Sequence, residues 1–176
     1  MGCGVLDLLK RRREQLLRLL GRPLEVRRIV VRDPERRRPH LEGLVPDGVE
    51  FSSDPRRVTR EAGVDLTVEV AGGTEEPREW ILDSLLHDRD VVTANKAVLA
   101  FHGGELFSLA AERGRGIYYE ASVAGAIPII EILQNGLDHT SDRPRVRLAP
   151  CPAPRACRAH ESSPCVRKII PVGIFG

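Results

Sequence analysis

Residues 65–93 read DLTVEVAGGTEEPREWILDSLLHDRDVVT, and this stretch decides the fold. Asp65–Val70 is short, apolar and rich in β-branched residues, the mark of a strand. Ala71-Gly72-Gly73 interrupts it as a loop. Glu76–His87 is amphipathic and predicts a helix, and Asp90–Thr93 predicts a second strand. Strand, loop, helix and strand in succession make a βαβ unit, which requires the two strands to run parallel.

The same alternation extends outward in both directions. Val5–Arg22 predicts a helix, with Val5, Leu8, Leu9, Leu16, Leu17, Leu19 and Leu20 near the 3.6 period and Gly21-Arg22-Pro23 as its stop. Val26–Val31 predicts a strand that ends in the turn Arg32-Asp33-Pro34. Arg36–Val49 is polar and punctuated by Pro and Gly, a loop with a short element. Asp54 stands where it can cap a short helix running through Arg60. Further on, Gly104–Arg113 predicts a helix, Ile117–Glu120 a strand, and Ile127–Leu137 a helix behind Pro128. Short strands that are apolar on both faces and alternate with helices imply an α/β, doubly wound, Rossmann-like parallel sheet. Ligands of such sheets sit beyond the carboxyl ends of the strands. That rule nominates Arg32, Gly72, Gly73, the Thr93–Lys96 segment and the Glu120–Ile127 segment.

The usual opening of this architecture is missing. An apolar strand should lead into a Gly-rich turn and then a helix. Here Met1-Gly2-Cys3-Gly4 reads as the end of such a turn, with the helix directly behind it. The sheet is therefore expected to lack its first strand, leaving two neighbouring strands without ladder partners and the pyrophosphate cradle incomplete. Marginal stability is the expected consequence.

Composition narrows the class further. The chain has 176 residues, 41% hydrophobic and 30% charged, which excludes a collagen-like or wholly disordered protein. No apolar run approaches a membrane span, and the N-terminal leucines lie between arginines and acids, unlike a signal peptide. Free thiols suit a reducing, cytoplasmic setting. The net charge of +2 averages two unlike pieces. Residues 141–176 hold seven basic groups against two acids, while the other 140 residues hold 20 against 23.

Four segments carry a family resemblance: Gly4–Leu9, Val68–Gly73, Val91-Val92-Thr93-Ala94-Asn95-Lys96-Ala97, and Tyr119-Glu120-Ala121-Ser122-Val123-Ala124-Gly125-Ala126-Ile127-Pro128-Ile129-Ile130. In order and spacing they resemble the N-terminal NAD(P)-binding domain of homoserine dehydrogenase, over residues 2–139. The resemblance implies NAD(P)-dependent interconversion of L-homoserine and L-aspartate 4-semialdehyde, in threonine, methionine and isoleucine biosynthesis. It implies a cofactor-binding set of Gly2, Arg32, Gly72, Gly73, Thr93 and Lys96, with Lys96 beside the nicotinamide and substrate as a fixed cation. It also implies a monovalent-cation site, usually sodium, at Glu120, Val123, Gly125 and Ile127, where backbone carbonyls let apolar residues serve. Arg32 follows the second strand, where an acid would receive a ribose 2′-hydroxyl and an arginine suits a 2′-phosphate. NADP is thus preferred, while the adjacent Asp33 keeps NAD open.

The family's substrate and dimerisation domain, with its catalytic lysine, has no counterpart in these residues. The alternative reading is therefore a catalytically inactive nucleotide-binding fragment, and homodimerisation is not expected of this chain alone. Residues 140–176 are expected to form a non-homologous tail, disordered or read in a shifted frame. Its Cys151, Cys157, His160 and Cys165 are spaced Cys-x5-Cys-x2-His-x4-Cys, without the tight knuckle of a structural zinc site. Apart from Phe175 the tail has no aromatic residue, and it has no basic helical period, so neither base stacking nor groove docking on nucleic acid is supported.

Overall fold

The computed structural model describes residues 1–36 and 38–123, together with the backbone of 167–172. In chain order the elements are α1 (Gly2–Arg11), α2 (Arg13–Leu20), β1 (Leu24–Val26), β2 (Arg28–Val30), β3 (Glu50–Ser52), α3 (Arg56–Thr59) and β4 (Leu66–Glu69). They continue with α4 (Glu75–Leu86), β5 (Asp90–Thr93), α5 (Lys96–Arg113), β6 (Ile117–Tyr118) and β7 (Arg167–Val172). Single 3-10 turns span Pro39–Leu41 and Glu120–Ser122.

The strands form one sheet in the order β3-β2-β7-β4-β5-β6, with β1 also on β7, and every pairing is parallel. The doubly wound α/β expectation therefore holds. The expected gap at the sheet's centre does not. β7 fills it, with Leu24–Val26 beside Arg167–Ile169, Val30 beside Val172, and Leu66–Glu69 beside Ile169–Val172. Six residues of the expected irregular tail are thus a central strand, supplying the ladder partners that β2 and β4 otherwise lack. The β-branched residues at 169, 170 and 172 suit a strand backbone. Pro171, opposite Val68, removes one donor from that ladder.

Helices cover both faces, and the period-2 alternation of β2 shows how. Ile29 and Val31 bury against Leu6 of α1 and Leu41. Val30 points to the opposite face, against Val58, Val64 and Trp80. A third cluster joins Ile81 and Leu85 of α4, Val98 and Leu106 of α5, and Val91 and Ile117 of the sheet. Each fully buried side chain of this kind contributes about 1.5–3 kcal/mol by leaving water. Arg89, at the entry to β5, is also buried, and its guanidinium donates to the Thr59 and Glu61 carbonyls. Among the described residues no helix is long and apolar enough to cross a membrane.

Boundaries differ from the sequence reading for identifiable reasons. The helix predicted over Val5–Arg22 is two helices, because the backbone at Arg12 leaves the helical range (φ −101°, ψ 14°). The break puts Lys10 and Arg11 in the last turn of α1, where the helix dipole favours cations. Gly21, at φ 67°, then ends α2 in the left-handed cap that glycine adopts without strain. The helix predicted over Gly104–Arg113 begins eight residues earlier, at Lys96. Gly103-Gly104 reads as a helix breaker but lies inside α5, whose start is fixed by the Asn95 cap. The strand predicted over Ile117–Glu120 stops at Tyr118 and gives way to the turn at Glu120–Ser122. The helix predicted over Ile127–Leu137 and the tail cysteines lie outside the described residues.

Candidate dinucleotide site at the carboxyl ends of the strands

β4 and β5 end side by side, in register from Leu66 and Asp90 to Glu69 and Thr93. The loops that follow them are Ala71–Thr74 and Ala94-Asn95. Their geometry is set by Glu69, a carboxylate fully buried at the end of β4. One Glu69 oxygen accepts the Ala71 N–H at 2.8 Å, and the other accepts the Thr93 hydroxyl at 2.5 Å. Burial pushes the Glu69 carboxyl above the usual carboxylate range, and the hydrogen bonds from Thr93, Ala71 and Asn95 only partly oppose this.

Thr93 passes the constraint onward. Its hydroxyl oxygen accepts the Asn95 N–H at 3.0 Å. Asn95 then acts on both loops at once. Its side-chain amide donates to the Gly73 carbonyl at 2.9 Å, and its Oδ1 accepts the N–H groups of Ala97 and Val98 at 3.2 Å each. One residue therefore caps α5 and holds the Gly72-Gly73 loop against it. Gly73 has φ 91°, in the left-handed region that favours glycine, and Gly72 has open space where a Cβ would stand.

The sequence-nominated residues fall into three groups around this lock. Gly72, Gly73, Thr93 and Lys96 are brought together by it. Lys96 occupies the first turn of α5 and is exposed, with no acidic partner recorded among the described residues. Glu120 and Val123 lie next to the lock, because the Ser122 hydroxyl donates to the Thr93 carbonyl at 2.8 Å. The other two expected cation ligands, Gly125 and Ile127, lie outside the described residues. Among the described residues no three His, Cys, Asp or Glu side chains cluster as metal ligands.

Arg32 and Gly2 stand on the other side of the sheet's centre. Arg32 follows β2 and is exposed, lining a groove of about 840 Å³ together with Ser53, Arg56, Arg60, Glu76 and Trp80. Arg60 is already committed to Asp83 at 2.9 Å, so Arg32 and Arg56 are the cations this groove offers to a ligand. Asp33 turns inward on its own loop, where its carboxylate accepts the Glu35 N–H at 3.0 Å. Gly2 is buried at the start of α1, and Cys3, a free thiol, packs with the Leu6, Ile29 and Val31 cluster.

Glu69 was not singled out from the sequence, and Asn95 and Ser122 were nominated only as members of the Thr93–Lys96 and Glu120–Ile127 segments, with no role of their own. Glu69 carried a usable signal, since a charged residue inside an otherwise apolar two-faced strand needs buried partners. The partners of Asn95 and Ser122 depend on which loops the topology makes neighbours, so their roles were not legible.

A parallel doubly wound sheet with two Gly- and Asn-built loops locked at its carboxyl edge defines a nucleotide-binding domain of the dehydrogenase type. Residues 1–120 match the family model described as homoserine dehydrogenase, NAD binding domain, and the chain belongs to that family. It is 37% identical over 143 residues to a homoserine dehydrogenase of Bacillus subtilis, covering 81% of this chain and 32% of that protein. It is 39% identical over 137 residues to one of Corynebacterium glutamicum, covering 78% and 30%. The crystal structure of a homoserine dehydrogenase from Thiobacillus denitrificans superposes with a TM-score of 0.69 at 36% identity, covering 78% of this chain and 31% of that one. The chain thus spans about a third of the length of these relatives.

Proposed function

We propose that the chain supplies the cofactor-binding part of an NAD(P)-dependent homoserine dehydrogenase, which interconverts L-homoserine and L-aspartate 4-semialdehyde. In this reading it serves threonine, methionine and isoleucine biosynthesis in the cytoplasm. The observation that carries it is the Asn95 bridge, which holds Gly72-Gly73 and the start of α5 as one surface. A dinucleotide suits that surface. The missing side chain at Gly72 and the left-handed turn at Gly73 leave the backbone approachable. Bound there, the nicotinamide ring supplies hydride acceptance and donation.

The chain's own residues bind and orient. Exposed Lys96 provides a fixed positive charge at the mouth of the lock, placed to favour an oxygen that gains negative charge during hydride transfer. Arg32, with Arg56 nearby in the same groove, favours a 2′-phosphate and hence NADP over NAD. The Glu120 carboxylate, with backbone carbonyls of Val123, Gly125 and Ile127, forms the monovalent-cation site, for which sodium is the natural occupant. Positions for the substrate acid and the catalytic lysine are not among these residues, and the family homodimer forms largely through the domain that would carry them. The second reading, a nucleotide-binding fragment without turnover, is favoured for these 176 residues by the one-third coverage of the relatives.

Titration with NADPH and an absorbance assay with NADP and L-homoserine test both readings. Saturable NADPH binding without turnover is expected. A folded chain that binds neither NADPH nor NADH contradicts the functional reading. Turnover by the chain alone contradicts its assignment as the cofactor-binding part only.

A further inference from the structure

A cavity at the other edge of the sheet takes no part in the function proposed above. β1, β2 and β3 begin beside it with Leu24, Arg28 and Glu50, whereas the Gly72-Gly73 and Asn95 loops follow the opposite, carboxyl ends of β4 and β5. It has a volume of about 650 Å³ and lies between the last turn of α1, these strand starts and the loop over residues 43–48. Pockets that take small molecules span roughly 300–1,000 Å³.

The floor of the cavity is aliphatic. Leu6 is fully buried there, and Leu9, Leu24, Val26, Leu44 and Val45 are half-buried. The rim is held by fixed contacts. Lys10 Nζ donates to the Gly43 carbonyl at 2.6 Å, which pins the loop to the end of α1. Gly43 and Gly48 stand at φ 72° and 80°, so the loop is bounded by two turns in the left-handed region. Arg28 is nearly buried and lies 2.8 Å from both Glu50 and Glu61, which commits those three side chains to one another. Glu25 and Arg27 face each other at 4.0 Å.

Two charges are left over. Arg13, at the start of α2, and Asp47, in the loop, both line the cavity and are exposed. Neither side chain makes an ion pair or hydrogen bond among the described residues. One spare cation and one spare anion over an aliphatic floor match a small zwitterion with an apolar body. The Arg13 guanidinium suits a carboxylate, and the Asp47 carboxylate suits an ammonium group. A branched aliphatic side chain removes its own surface and that of the floor from water. A fatty acid leaves Asp47 unmatched, and an inorganic anion leaves the floor wet.

We propose that this cavity is a second ligand site, which takes a free α-amino acid with an aliphatic side chain. It stands on its own residues and does not depend on the dinucleotide.

The test uses the full chain and L-leucine as the probe, read by amide ¹H–¹⁵N NMR. 4-Methylpentanoate, which lacks the ammonium group, and 3-methylbutylamine, which lacks the carboxylate, serve as controls. L-Leucine is expected to bind saturably, with shifts at Leu9, Leu24 and Leu44 and none at Gly72 or Lys96. Each control should bind about tenfold more weakly, and Arg13→Ala and Asp47→Asn should each weaken L-leucine by a similar factor. Both residues are exposed, so the variants should melt like the parent by circular dichroism. The proposal is overturned by a folded chain that shows no saturable L-leucine binding. It is overturned equally by 4-methylpentanoate binding as tightly as L-leucine, by an affinity that neither substitution changes, or by shifts centred on Gly72 and Lys96.

Discussion

The two halves of the sheet are built in different ways. On one side β4, α4, β5, α5 and β6 follow one another in sequence, and their core is a single cluster from Ile81 to Ile117. Its loops are fixed by hydrogen bonds spanning at most 24 residues of chain, from Glu69 through Thr93 and Asn95 to Gly73. On the other side α1, β1 and β2 close on β7, which lies well over a hundred residues away in the chain. The first half can form from local contacts. The second waits on a pairing with a large closure entropy. The comparison teaches that the Asn95-braced loops and the sheet's completion are separable, and variants should pull them apart.

Core truncation in the contiguous half should give the largest effect. Leu106→Ala removes a fully buried side chain from the α4–α5 cluster and is expected to cost about 2–5 kcal/mol, read from urea unfolding. Next is Arg32 on the other side, proposed above to read a 2′-phosphate. Arg32→Asp is expected to lower NADPH affinity by roughly tenfold or more, the scale of a hydrogen bond to a charged group, with NADH affinity unchanged or raised. Equal losses for both cofactors would show that Arg32 does not read the 2′-phosphate.

Asn95→Ala should sharpen the contrast most cleanly. It removes a helix cap worth about 0.5–2 kcal/mol and frees the Gly73 carbonyl at the same time. The melting temperature should fall modestly, and NADPH should bind several-fold more weakly. The smallest effect is a pH dependence. Burial raises the Glu69 carboxyl in the folded chain above its value in the unfolded chain. Its contribution to stability is therefore present at pH below the unfolded value and is lost as pH rises through the folded value. Glu69→Gln should flatten that part of the stability–pH curve while keeping an acceptor for Ala71 or Thr93. An unchanged curve would show that Glu69 titrates alike in both states.

Much of this was legible in the sequence, and what was not has physical causes. The βαβ pattern over residues 65–93 shows plainly, because apolar strands and an amphipathic helix each leave a period. Asp90–Thr93 is found at its predicted limits. The placement of Gly72, Gly73 and Lys96 just beyond the ends of β4 and β5 was legible from the strand pattern. The start of α5 was hidden by Gly103-Gly104, which tertiary packing tolerates inside the helix. β7 was hidden by its surroundings. Six residues ending in Ile-Ile-Pro-Val, behind a Pro- and Arg-rich tract, carry a weak strand signal, and only the empty slot between β2 and β4 gives them meaning. Buried Glu69 was overlooked because its partners, Thr93 and Ala71, lie across a loop and a neighbouring strand.

The central claim is that the Asn95-braced loops receive a nicotinamide dinucleotide. Its most direct test is the NADPH titration of the parent chain and of Asn95→Ala at neutral pH, followed by nucleotide fluorescence, with melting curves run on the same samples. The account predicts saturable binding by the parent and several-fold weaker binding by a variant that still melts cooperatively. Equal affinity in parent and variant, or no binding by a cooperatively folded parent, would contradict it.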